Sequence, residues 1–241
     1  YGLAVAVAKG LPFLNFPTKQ GAVLVLAVEE HKRDVVNRLR DLGATADDPI
    51  WLETRWIGRQ PDQIQRLREF LGHERIAFVL IDTLASFFEI DDENSNSEMT
   101  RHLLPFASLC HETDTVVLFT HHTRKSGGDD LRSIRGAGAV FALVDQALEL
   151  KKDNDGSATR RVLTIEGRYK AESPGELVLD YKDERYVCLG SREDHARAAL
   201  LTKVFEALPP DGRMLEVIPL ADAAELRQPL TRRLAEELHR Q

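Results

Sequence analysis

Only two cysteines occur in the 241 residues, Cys110 and Cys188. They sit in apolar surroundings without metal-ligand spacing, which excludes a disulfide scaffold and a cysteine-rich zinc module. They read as buried thiols in a reducing, cytoplasmic compartment. Positive charge is also scarce: 32 Lys and Arg stand against 39 Asp and Glu, a net charge of -7. A protein that coats nucleic acid with a basic surface is thereby excluded, whereas positive charge confined to a channel is compatible with the balance. No apolar run approaches the roughly 18 residues that cross a bilayer, and no signal-peptide pattern is visible.

What is present is a 43% hydrophobic content, enough for one sizeable core with a small appendage. The chain opens at Tyr1 inside the helix-like run "YGLAVAVAKG", with no N-cap ahead of it. The expectation is that further sequence lies upstream. Gly10 is placed as the C-cap of that helix. Apolar blocks then alternate with amphipathic ones. Val23 to Val28 reads as a buried strand, and His31 to Leu42 as a helix with Val35, Val36, Leu39 and Leu42 on one face. "PIWLE" is a short strand, Asp62 to Leu71 a helix, "IAFVLIDTL" a strand, Ser97 to His111 a helix, and "TVVLFTHH" a strand. Strands apolar on both faces, alternating with helices, predict a parallel sheet covered by helices.

After a polar loop, "HTRKSGGDDLRS", a helix is expected over Ile134 to Leu143. Four short strands follow, Gln146 to Lys151, Arg161 to Glu166, Glu176 to Asp180 and Arg185 to Leu189. Turn-rich pieces separate them, as in an antiparallel meander. From Ser191 the chain is helical and reads as a small unit, a lid or a winged helix. Trp51 and Trp56 read as packing residues, and "DENSNSEM" as a loop with a helix cap.

The chemistry is concentrated where the apolar strands stop. One ends on Glu29 and Glu30, one on Asp82, and one on His121 and His122. In an open α/β sheet these C-terminal strand ends line the ligand crevice. "FVLIDT" has the form of a Walker B strand, whose Asp holds magnesium, usually through water. Glu29 on a neighbouring strand end is placed to take the proton of an attacking water, and a histidine on the third to sense a γ-phosphate.

Four ordered stretches carry a resemblance: "GLPFLNFPTKQGAVLVLAVEE", "FVLIDTLASFFEIDDENSNSEM", "VVLFTHHTRKS" and "IRGAGAVFALVDQALEL". Over about residues 1 to 190 the chain resembles the RecA-like ATPases of the plasmid RepA hexameric helicase type, relatives of the DnaB helicases. The resemblance implies an α/β RecA-like core over residues 1–190, N-terminally incomplete, and a helical tail over 191–241. It implies ATP and Mg2+ as cofactors, a homo-oligomer, hexameric by analogy, and single-stranded DNA in a ring channel as partner. No membrane is implied. Residue by residue, Glu29 matches the catalytic glutamate, Asp82 the Walker B aspartate and metal carboxylate, and His121 or His122 the γ-phosphate sensor. Arg38 matches an arginine near the nucleotide base, and Arg135 an arginine reaching a neighbouring subunit's nucleotide. Arg168 fits the arginine of a Lys-x-Arg stretch, with Glu166 standing where the lysine would be. Arg124, Lys125 and Arg132, with Arg135, lie in a loop that faces the channel in such rings.

The chain departs from that family at one motif: these residues contain no G-x-x-x-x-G-K-[ST] phosphate loop. In the family it precedes the helix that starts near Tyr1. Three readings follow: an ATP-driven DNA helicase or replication motor of a plasmid, phage or mobile element whose loop lies upstream, a RecA-fold scaffold that no longer hydrolyses ATP, or a DNA-binding regulator acting through the tail.

Overall fold

The computed structural model describes residues 1–55, 62–88, 90, 95–122, 141–154, 157–168, 173–208, 221, 224, 226 and 228–238. Four of its strands are parallel: β1 (Ala22–Ala27), β2 (Ile50–Glu53), β3 (Ile76–Asp82) and β4 (Val116–Phe119), in the order β2-β1-β3-β4. Helix α1 (Gly2–Lys9) precedes the first strand; parallel neighbours need crossover connections, and these hold α2 (Lys32–Asp41), α3 (Asp62–Glu74), α4 (Leu84–Phe88) and α5 (Asn96–Thr113).

The apolar strands lack a two-residue hydrophobic rhythm because both faces of the sheet are covered. Leu24, Leu26, Val79 and Ile81 point into one core with Leu67, Leu71, Phe87, Met99, Phe106 and Leu109 from α3, α4 and α5. Val23, Val25, Ala27, Phe78 and Leu80 point into the other, with Ala4, Val5 and Ala8 of α1 and Val35 and Leu39 of α2. Each fully buried Val or Leu contributes about 1.5–3 kcal/mol, and the acids Glu53 and Asp82 stand at the last positions of their strands. Gly21, at the entry to β1, is fixed by close approach: a Cβ there would lie 2.5 Å from the Cβ of Ala77. Gly10 closes α1 in the left-handed conformation, φ 66°, as expected for a C-cap.

The later strands form a second sheet: β5 (Gln146–Lys152), β6 (Arg160–Gly167), β7 (Glu176–Lys182) and β8 (Arg185–Ser191), antiparallel and paired in chain order. This is the expected meander. Asp183 and Glu184, both at positive φ, make the two-residue turn between β7 and β8. Leu163, Leu177 and Leu179 form a small core with Leu14 of the loop after α1. The Asn15 side-chain amide donates to the Cys188 carbonyl (3.2 Å), and the Arg185 guanidinium to the Asp41 carbonyl (3.0 Å), joining this sheet to the first unit.

The tail begins without a linker. Helix α6 (Arg192–Glu206) starts at the end of β8, capped by the Ser191 hydroxyl, which accepts from the Asp194 amide. It packs on β7 and β8, and helix α7 (Gln228–Leu238) packs on it around Val204, Ala224 and Leu234.

Two local readings need correction. The short helix α4 directly after Asp82 was not legible as a separate element. Cys110 and Cys188 are free and only half-buried, because Cys188 lies on β8 at the edge of its sheet, where one strand face is open. Burial still pushes the Cys110 thiol above its usual range. The "DENSNSEM" stretch does end in a helix cap, with Ser95 accepting from the Glu98 amide, and Trp51 packs edge-on against Phe70. Trp56, Arg124, Lys125, Arg132, Arg135 and most of the helix expected over Ile134 to Leu143 lie outside the described residues. Among the described residues no helix is long and apolar enough to cross a membrane.

Candidate active site

Sheet register builds the site. Ala27 of β1 sits level with Asp82 of β3, and the Val28 amide donates to the Asp82 carbonyl as one bond beyond the strand (3.0 Å). Glu29 and Glu30 therefore emerge at the same C-terminal edge as the Asp82 side chain. On the other side of β3, the Thr120 amide donates to the Ile81 carbonyl and the Leu84 amide to the Thr120 carbonyl, both at 3.0 Å. The end of β4 and the first turn of α4 are thus locked around Asp82.

Asp82 is held by two hydroxyls. Thr120 Oγ1 donates to Oδ1 (2.5 Å), and the Tyr1 phenol donates toward Oδ2 (2.9 Å). The same phenol lies 3.0 Å from Glu30 Oε1, so its single proton is shared between two carboxylates. Burial, and then the charge of Asp82, push the Tyr1 hydroxyl far above its ordinary range. It stays protonated and acts as a donor.

Arg38 completes this half. Its Nη1 is 2.6 Å from Glu30 Oε1, and its guanidinium lies over the Tyr1 ring, 4.9 Å from the centroid. The hydrogen bond from Arg38 is the main cause that holds the Glu30 carboxyl below the usual carboxylate range. A carboxyl depressed in the folded state contributes stability above its unfolded pKa and loses it as pH falls through the folded value. Replacing Arg38 by Ala should therefore cost up to about 1 kcal/mol at neutral pH, since the pair is half-exposed. The difference from wild type should vanish in acid. Urea titrations at the two pH values measure this, and an equal loss at both would assign Arg38 a packing role only.

Glu29 is set apart from that network. Thr83 Oγ1 donates to Glu29 Oε1 (2.5 Å), and Ser86 Oγ donates to the same oxygen. The Ser86 bond first, then that from Thr83, holds the Glu29 carboxyl below its usual range, and the charge of His122 adds to the effect. His122 is exposed and His121 half-buried at the end of β4.

Arg168 does not join this edge. It sits at the end of β6, paired with Asp145 at 3.6 Å, and no hydrogen bond or ion pair among the described residues links it to Glu29, Glu30 or Asp82. A separate cleft of about 320 Å³ on the second sheet, lined in part by Glu149, Lys151, Thr164, Glu166, Glu176 and Arg192, shares no residue with the carboxylate edge. Two of its charge pairs close on themselves, Glu149 with Lys151 and Glu176 with Arg192, each at 3.1 Å.

A parallel sheet with carboxylates gathered at its C-terminal edge, one of them bound by hydroxyls at the start of the following helix, is the frame of a nucleotide-hydrolysing domain. Residues 1–128 match the AAA domain family. The chain belongs to that family. No curated protein matches it. Membership makes this a P-loop ATPase domain of the AAA and RecA-like class, one that binds nucleotide, typically with magnesium. The site of the AAA domain fits that ion. Its donors are all oxygen, the hard ligands magnesium takes.

The sequence places Glu29 and Asp82 at one edge, and Arg38 near the nucleotide base by resemblance, but Tyr1, Thr83, Ser86 and Thr120 were missed. The T-x-x-S spacing directly after Asp82 was a readable sign, since positions i and i+3 share a helix face. Nothing in the sequence marks Tyr1 or Thr120, which come from segments far along the chain from Asp82.

Proposed function

We propose that this domain hydrolyses ATP as the motor of a ring-forming DNA helicase or replication ATPase. The observation that carries the reading is the gathering of Glu29 and Asp82 at one sheet edge, with separate hydroxyl partners. Two carboxylates that share no hydrogen-bond donor can serve two roles. Asp82, gripped on both oxygens, is oriented to hold magnesium through water. Glu29, gripped on one oxygen, has its other oxygen available for a proton.

The hydrolytic step follows from these positions. Glu29 removes a proton from water as the water oxygen attacks the γ-phosphorus. The bond from that phosphorus to the bridging oxygen breaks, and the electron pair leaves on ADP. His121 or His122, at the end of β4, reports the phosphate's presence. Arg38 steadies Glu30 and Tyr1 on the flank toward the nucleotide. Single-stranded DNA in a ring channel, and a hexamer as the ring, are the partners this reading carries from the helicase resemblance. The loop residues Arg124, Lys125 and Arg132 would contact its phosphates.

Asp82→Ala tests the metal role. In the full-length protein it should abolish the magnesium-dependent part of nucleotide affinity while leaving the fold intact by circular dichroism. Titration of a fluorescent ATP analogue with and without magnesium measures it. If the magnesium dependence is the same in wild type and variant, Asp82 is a helix-capping residue and the hydrolytic reading fails.

A further inference from the structure

We propose that Thr83 and Ser86 are positioning residues that clamp the Glu29 carboxylate by Oε1 and leave Oε2 as its proton-accepting atom; the purpose of the clamp rests on the general-base reading above. Thr83 directly follows Asp82 and leads into helix α4, its carbonyl accepting from the Phe87 amide and its hydroxyl from the Ser86 amide, so positions 83 and 86 face the same side of the first turn. The β1–β3 register brings Glu29 over that face. Thr83 is buried, 5% exposed, and its hydroxyl has both valences in use. It donates to Glu29, and it accepts from the Ser86 amide (3.4 Å). The Ser86 hydroxyl donates its own proton to the same Glu29 oxygen. Oε1 thus receives two protons and its lone pairs are spent, while no hydrogen bond among the described residues reaches Oε2.

The consequence is geometric and electrostatic. A glutamate side chain has three rotatable bonds, and an exposed one samples many orientations. Two short donors from a rigid first turn remove most of that freedom, and misplacing a base by about 1 Å can cost as much as 10²-fold in rate. The donors also stabilise the charged carboxylate, as the depressed Glu29 carboxyl shows. The base is therefore kept ionised to lower pH than an unclamped glutamate would be. The acid limb of the turnover profile should follow the clamp.

The test uses Ser86→Ala, Thr83→Val and the double variant, with Ser86→Thr as the conservative control. In the full-length protein each single variant should lower kcat on the order of tenfold, with KM nearly unchanged. The acid limb of kcat should move to higher pH, and Ser86→Thr should restore both quantities. Because Thr83 is buried, Ser86→Ala carries the result if Thr83→Val unfolds. The clamp can also be read without turnover, by titrating the Glu29 carboxyl carbon by NMR in the 241-residue chain: its midpoint should rise when Ser86 loses its hydroxyl. An unchanged midpoint in Ser86→Ala and in the double variant overturns the clamp, whatever Glu29→Gln does to turnover. Full activity in Glu29→Gln with a raised midpoint in Ser86→Ala would instead keep the clamp and overturn the general-base role.

Discussion

Replacing Glu29 by Gln in the full-length protein is expected to lower ATP turnover by at least about 10²-fold, the scale of losing a positioned general base, while ATP binding stays nearly intact. The substitution is close to isosteric. The amide oxygen can still accept from Thr83 and Ser86, so the local structure should persist. What disappears is the lone pair able to take a proton at the second position. Glu29 also takes no part in the Asp82 hydroxyl network, so magnesium-dependent binding should survive. Single-turnover hydrolysis and equilibrium binding of ATP measure the two halves separately. Wild-type turnover would remove Glu29 from the chemistry and turn attention to Glu30.

The second large effect is expected between subunits. Full-length Arg168→Ala or Arg135→Ala subunits should each be nearly dead, because an arginine finger supplies about 10³–10⁵-fold in phosphoryl transfer. Activity should return when either is mixed with Glu29→Gln subunits. A mixed ring contains interfaces that join an intact Glu29 to an intact arginine. The structure gives Arg168 a partner it can release: the ion pair with Asp145 is 3.6 Å long, and both side chains are largely exposed, 53% and 86%. Such a pair is worth about 0–1 kcal/mol, far less than the interaction with the doubly charged γ-phosphate would return. At the carboxylate edge Arg38 is engaged by Glu30. No recovery in either mixture, with mixed rings confirmed by native mass spectrometry, would contradict the shared site. An ATPase rate independent of protein concentration would contradict it as well.

Much of this domain was legible in one dimension. Runs such as Val23 to Val28 and Phe78 to Ile81 are apolar at every position, which only a strand covered on both faces needs, and each stops at the C-terminal end of the sheet, where Ala27 pairs with Asp82. The position of Glu29 and of Asp82 at a sheet edge follows from that stop. The meander followed from short alternating strands between turn residues, and Gly10 from its place after a helical run. Helix α4 was hidden because "TLASFF" continues the apolar composition of the strand before it. Cys188 was expected to be buried because its neighbours are apolar, whereas exposure depends on whether its strand lies at an edge.

The sequence by itself determined the class of fold, the covered parallel sheet and the carboxylates at its edge, because burial forces a composition on strands and a carboxylate cannot sit inside them unpaired. Only the tertiary structure decided which groups share a proton. That Tyr1 bridges Glu30 and Asp82, that Thr120 holds the other oxygen of Asp82, and that Thr83 and Ser86 both bind Glu29 Oε1 depend on the order β2-β1-β3-β4 and on a register matching Ala27 to Asp82. Hydrogen bonds act over about 3 Å. Residues 81 positions apart, such as Tyr1 and Asp82, come within that range only when the sheet has fixed where each strand ends.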